Sequence, residues 1–117
     1  MQESPVFLRT YDLLLWLLPQ VTKFPRVYRF GLGERIIRLG LDFQDSLIVA
    51  GLKPASERSP YLAQADVQLA QLRRLIRMCK DLQSLSIGQY EHASKMLAEV
   101  GRLLGGWRKK TSINGVG

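Results

Sequence analysis

The sequence is poor in the side chains that carry out covalent chemistry. Cys79 is the only cysteine among 117 residues, which excludes an internal disulfide and any zinc site built on cysteines. His92 is the only histidine, and one imidazole without ligands at metal-binding spacing makes a poor metal centre. Cys79 continues an apolar helical rhythm and is expected in the core; His92 is expected on a solvated helix face. Acidic residues are scarce as well: ten Asp and Glu face seventeen Lys and Arg, a formal net charge of +7. The carboxylates Glu34, Asp42, Asp45, Asp66, Asp81, Glu91 and Glu99 are scattered, and Glu34 with Arg38 and Glu91 with Lys95 have the spacing of i,i+4 ion pairs. No nucleophile stands with a base and an orienting partner, so no catalytic residue, cofactor or metal is expected. Gly31-Leu32-Gly33 has no preceding strand, no third glycine and no Lys-Ser/Thr, which excludes a phosphate loop and leaves a helix start with Gly31 as its cap. The longest apolar run, Leu13–Leu18, falls far short of the roughly 20 residues that span a bilayer. Glu3, Arg9 and Asp12 interrupt what an export signal would need, so the expected location is cytoplasmic with no membrane partner. No segment alternates with period 2, which excludes an exposed sheet.

What is present is helical rhythm. Hydrophobic residues make up 46% of the chain, enough for one core. Ser4-Pro5 reads as the start of a first helix, with Phe7, Tyr11, Leu14, Leu18 and Val21 as its inner stripe and Pro19 as a kink. Leu8, Leu15, Trp16 and Leu17 widen that stripe beyond one core, which predicts a second face covered by another subunit. Lys23-Phe24-Pro25-Arg26 reads as a connection. A second helix is predicted from about Leu32 to Ala50, lined by Leu32, Ile36, Leu39, Phe43, Leu47 and Ala50 and stopped by Gly51. Residues 52–60 form the one clear loop, and Ser59-Pro60 opens a third helix lined by Leu62, Ala65, Leu69, Leu72, Ile76 and Cys79. A turn near 83–85 precedes a capping box of Ser86 with Gln89. The fourth helix carries Tyr90, Ala93, Leu97, Val100, Leu104 and Trp107 at spacings of 3, 4, 3, 4 and 3. Short links favour antiparallel neighbours, so the expected fold is an all-α, antiparallel four-helix bundle over residues 1–110 with a flexible C-terminal tail over 111–117.

The excess charge falls into three clusters: Lys23, Arg26, Arg29, Arg35 and Arg38; then Arg73, Arg74, Arg77 and Lys80; then Arg102, Arg108, Lys109 and Lys110. A single charged helix face is ordinarily just solvated. Three clusters in a chain short of acids point instead to an electrostatic binding surface, with arginine forks suited to phosphate oxygens. No base-reading motif is present, so binding to RNA and DNA is expected to follow backbone charge, depend on salt and show little sequence preference.

These residues also resemble a known family. Lys23-Phe24-Pro25-Arg26, Arg29-Phe30, Leu32-Gly33 and Arg35 resemble the accessory variability determinant (Avd) proteins of diversity-generating retroelements. So do Leu72-Arg73, Leu75, Arg77, Asp81-Leu82, Ser86, Gln89-Tyr90-Glu91, Ala93-Ser94, Leu97 and Glu99. The closing run Gly101-Arg102, Leu104-Gly105-Gly106-Trp107 is the most specific part. The resemblance implies a four-helix bundle assembled into a homopentameric barrel with a positively charged surface. It implies a reverse transcriptase partner, binding to template RNA or its DNA product, and support of mutagenic cDNA synthesis without catalysis. Arg73, Arg77 and Arg102 match basic positions of the motif, and Arg74 and Lys80 are their neighbours. Gly31 and Gly88 depart from it where helix-favouring or capping residues are expected. Three other readings stand beside this one: a four-helix-bundle protein of the rRNA intervening-sequence type, an assembly scaffold for an acidic protein, and an anionic-membrane binder using the first helix.

Overall fold

The computed structural model describes residues 4–115, with side chains through Ser112. Four long helices, α1 (Pro5–Val21), α2 (Glu34–Leu52), α3 (Ser59–Asp81) and α4 (Ile87–Gly115), account for most of the chain, and the described residues contain no strand. Each helix packs on its neighbours in sequence, and α4 closes the bundle against α1. Gln89 Nε2 at the start of α4 donates to Gln20 Oε1 at the end of α1 at 3.4 Å, and at the opposite end the Phe7 and Trp107 rings meet edge to face at 5.7 Å. These contacts fix an up-down-up-down arrangement.

α3 and α4 follow their apolar periods closely. Leu62, Ala65, Leu69, Leu72, Ile76 and Cys79 are all buried, as are Ala93, Leu97, Val100 and Leu104, while Tyr90 and Trp107 are half-buried at the ends of the seam. The turn between the two helices is a Schellman motif. The Ser84 amide donates to Cys79 O at 2.8 Å and the Gln83 amide to Lys80 O at 3.0 Å, with Gln83 at φ 61°. The capping box then forms reciprocally: Ser86 N donates to Gln89 Oε1 at 2.9 Å and Gln89 N to Ser86 Oγ at 3.1 Å.

Other expectations are corrected. In α1 the buried face is Val6, Thr10, Leu13, Leu14, Leu17 and Val21; Tyr11 is exposed, and Phe7 and Leu18 are only half-buried. The helix is apolar almost all round, so periodicity alone could not choose its rotation, and Thr10 in mid-stripe disguises the true seam. The second helical segment starts earlier than expected. A single turn (Arg26–Tyr28) runs through a π-helical segment (Arg29–Gly33) into α2, so Gly31 lies inside helix and is not a cap. A Cβ on Gly33 would stand 2.6 Å from Val21 Cγ1, and its absence lets the end of α1 approach this segment. Gly51 does not stop α2, which continues to Leu52. Neither Ser4 nor Ser59 makes a side-chain cap; Arg58 instead precedes α3. Of the flexible tail expected over 111–117, residues 111–115 are helical. α4 continues to Gly115, and Thr111, four residues beyond Trp107 on the same face, is buried. Residues 116 and 117 lie outside the described residues.

Candidate nucleic-acid interface

The structure divides the three basic clusters by what each side chain touches. Lys23 and Arg26 are exposed on the α1–α2 connection, and Arg35 and Arg38 are exposed one turn apart on α2. Arg29 does not join them on the surface. It is half-buried, its Nη2 donates to Phe24 O at 3.4 Å, and its Nε is enclosed without a partner, so it braces the connection. On α3, Arg74 and Arg77 are exposed opposite the apolar seam and make no ion pair among the described residues. Their neighbour Arg73 reaches across to α4, where its Nη2 donates to Leu97 O at 3.2 Å. Lys80 lies 3.6 Å from Asp81 and 4.7 Å from the centroid of the Tyr90 ring.

The third cluster splits. Arg102 is held by Glu99 through a fork, Nη2 to Oε1 at 2.6 Å and Nε to Oε2 at 3.1 Å. The hydrogen bond from Arg102 lowers the Glu99 pKa below the usual carboxylate range and raises that of Arg102. Arg102 therefore sits beside Arg73, the two bordering one hollow of about 340 Å³ between α3 and α4. Arg108, paired with Asp66 at 2.9 Å, lies with exposed Lys109 and Lys110 toward the far end of the bundle, near the start of α3. The i,i+4 pairs expected for Glu34–Arg38 and Glu91–Lys95 do not close, and among the described residues the ion pairs are Arg9–Asp12, Lys80–Asp81, Glu99–Arg102 and Asp66–Arg108. Exposed side chains of this kind gain little from pairing and lose rotamer freedom by it.

The groups capable of other chemistry are occupied structurally. Cys79 is fully buried, and burial pushes its thiol up to about 12, which keeps it protonated and unreactive. His92 is exposed and its ring packs 4.8 Å from that of Trp16. Among the described residues no three His, Cys, Asp or Glu side chains converge, and no helix is long and apolar enough to cross a membrane.

One feature was not legible in the sequence. Arg58 Nε donates to Ala50 O at 3.0 Å and to Lys53 O at 2.9 Å, and its guanidinium lies 5.8 Å from the Trp107 ring, so one side chain closes the C-terminus of α2 and pins the loop to α4. A second apolar surface also remains on the outside: Leu8, Tyr11 and Leu15 of α1 with Leu41 and Ile48 of α2 are exposed, and a hollow of about 270 Å³ opens between the two helices. The surplus of apolar residues in α1 signalled this surface, although Leu17, expected on it, is in the core.

No curated protein matches the chain. A family model described as bAvd-like matches residues 6–111, spanning α1 to the late turns of α4 and including the Gly101–Trp107 run. The chain thus belongs to the bAvd-like family, whose model covers nearly its whole length.

Proposed function

We propose that this protein is a non-catalytic accessory subunit of a diversity-generating retroelement. It binds the reverse transcriptase and the template RNA or cDNA through its basic surface and so supports mutagenic cDNA synthesis. The observation that carries this reading is the outer face of α3, where Arg74 and Arg77 are exposed beside Arg73 and, among the described residues, pair with no carboxylate, on a helix whose opposite face is buried. Guanidinium groups on a helix offer phosphate oxygens planar forks of donors from a fixed backbone. Arg26, Arg35, Arg38 and Lys23 extend the cationic surface around the end of the bundle where α2 begins and α3 ends. Membership of the bAvd-like family supports the assignment to this kind of element.

The exposed apolar band of Leu8, Tyr11, Leu15, Leu41 and Ile48 supports self-association, with a homopentamer as the assembly, since a lone subunit would leave this band in water. The direct test is a titration of RNA and DNA at two ionic strengths. Affinity that falls steeply with salt for both, with little dependence on sequence, is the expected result. Affinity indifferent to salt, or binding only to an acidic protein, would replace this reading. Light scattering at micromolar concentration tests the assembly, and a monomer mass would remove it.

A further inference from the structure

Arg73 lies where a glycine leaves room for it. Its guanidinium lies across α4 at Gly101, where an added Cβ would collide with Arg73 Nη2, and from there Nη2 donates to the Leu97 carbonyl at 3.2 Å. A long cation on a surface helix ordinarily samples many rotamers; this one has a carbonyl partner before any ligand arrives. Its single bond to Leu97 leaves most of the guanidinium donors uncommitted. The hollow of about 340 Å³ that Arg73 borders has Ile76, Leu97 and Ala98 as apolar lining, with Tyr90, Ser94 and Arg102 adding an aromatic ring, a hydroxyl and a second guanidinium group. Glu99 engages Nε and Nη2 of Arg102 and leaves its Nη1 outside that pair. Lys80 Nζ, 4.7 Å from the Tyr90 ring, continues the positive charge past the hollow toward the α3–α4 turn.

We propose that this hollow is a built binding site for one phosphodiester of a single-stranded nucleic acid, with Arg73 as the anchor and Tyr90 beside the adjoining base. The inference rests on the nucleic-acid reading above and adds to it a specific site. A diffuse cationic surface needs only charge. This site needs the fork of Arg73 in one position, and Gly101 supplies that position. A single strand is favoured over a duplex because the hollow lies between two helices with room for a nucleotide-sized group, and because a ring bordering it serves an unstacked base.

The test uses the full chain, a fluorescent single-stranded oligonucleotide, and a duplex of the same sequence. Gly101→Ala leaves every charge in place and swaps in a better helix former, so α4 is kept while Arg73 is driven off its seat. Arg73→Lys keeps the charge and removes the fork. Both variants are expected to weaken single-strand binding about tenfold at fixed salt, the loss typical of one charge-assisted contact, and to weaken duplex binding less. Wild-type protein that binds in a salt-dependent way, with both variants binding equally well, would overturn the site and leave the broader reading intact. Wild-type protein that binds neither probe would overturn that reading itself. If Gly101→Ala melted early, Arg73→Lys alone would decide.

Discussion

α1 and α3 are both amphipathic helices of one bundle, yet they differ in how far their sequences dictate their rotation. α3 has a narrow apolar line with Arg73, Arg74 and Arg77 set off from it, and every residue of that line is buried. Turning α3 by one position would bury a guanidinium, a cost of several kcal/mol that no packing gain offsets. α1 has leucines on nearly every side, so a small rotation exchanges one apolar contact for another at little cost. Its true face, through Val6, Thr10, Leu13 and Leu17, is selected by fit against α2 and α4, and Leu8, Tyr11 and Leu15 are left outside. Charge beside a narrow seam therefore determines the orientation of α3, and packing determines that of α1.

Substitutions can break or sharpen that contrast. The largest effect is expected at the α1 core: Leu17→Ala should lower the unfolding free energy by about 2–5 kcal/mol in urea titrations. Leu15→Ala, two positions away and exposed, should cost far less in dilute monomer and should shift the assembly equilibrium instead. Equal losses for the two would mean that α1 has no preferred face. On α3, the buried Cys79 thiol has its pKa raised from 9.0 to about 12. An acid held neutral by burial contributes stability that is fully present below the unfolded-state pKa. Stability should therefore stay flat up to about pH 9 and fall between there and 12, and Cys79→Ala should flatten that part of the profile. Native Cys79 should also resist alkylation until the protein is unfolded.

On the outer face of the same helix, Arg74→Gln with Arg77→Gln should change stability by no more than about 0.5 kcal/mol. The slope of log affinity against log salt should shrink by about 1.5, the loss of two phosphate contacts. An unchanged slope would place the nucleic acid on another face. The most local effect is expected at the α3–α4 turn, where Ser86→Ala should cost about 1 kcal/mol by removing one arm of the capping box.

The candidate surface was legible to a similar extent as the helices that carry it. Arg74 and Arg77 could be placed outside from spacing alone, because a charged residue opposite a buried seam has nowhere else to go. Arg29 and Arg73 could not be. Their roles depend on a carbonyl of Phe24 and on one of Leu97, the latter on another helix, and no local pattern reveals such a partner. Arg58 escaped notice for the same reason, since it lies in a polar loop and its targets are the last carbonyls of α2. The π-helical segment was hidden because it arises where Gly33 meets Val21, a contact between elements that are separate in the chain's local rhythm.

By itself the sequence determined the helix count, the buried seams of α3 and α4 and that of α2 from Ile36 onward, the reciprocal cap at Ser86 and the excess of positive charge. Each of these follows from periodicity, local hydrogen bonding or composition, which act over a few residues. Tertiary structure alone decided the rotation of α1, the continuation of α4 past Lys110, and which arginines are braced and which are free. Those outcomes depend on what lies across the bundle, where the energy of a side chain is set by partners distant in sequence.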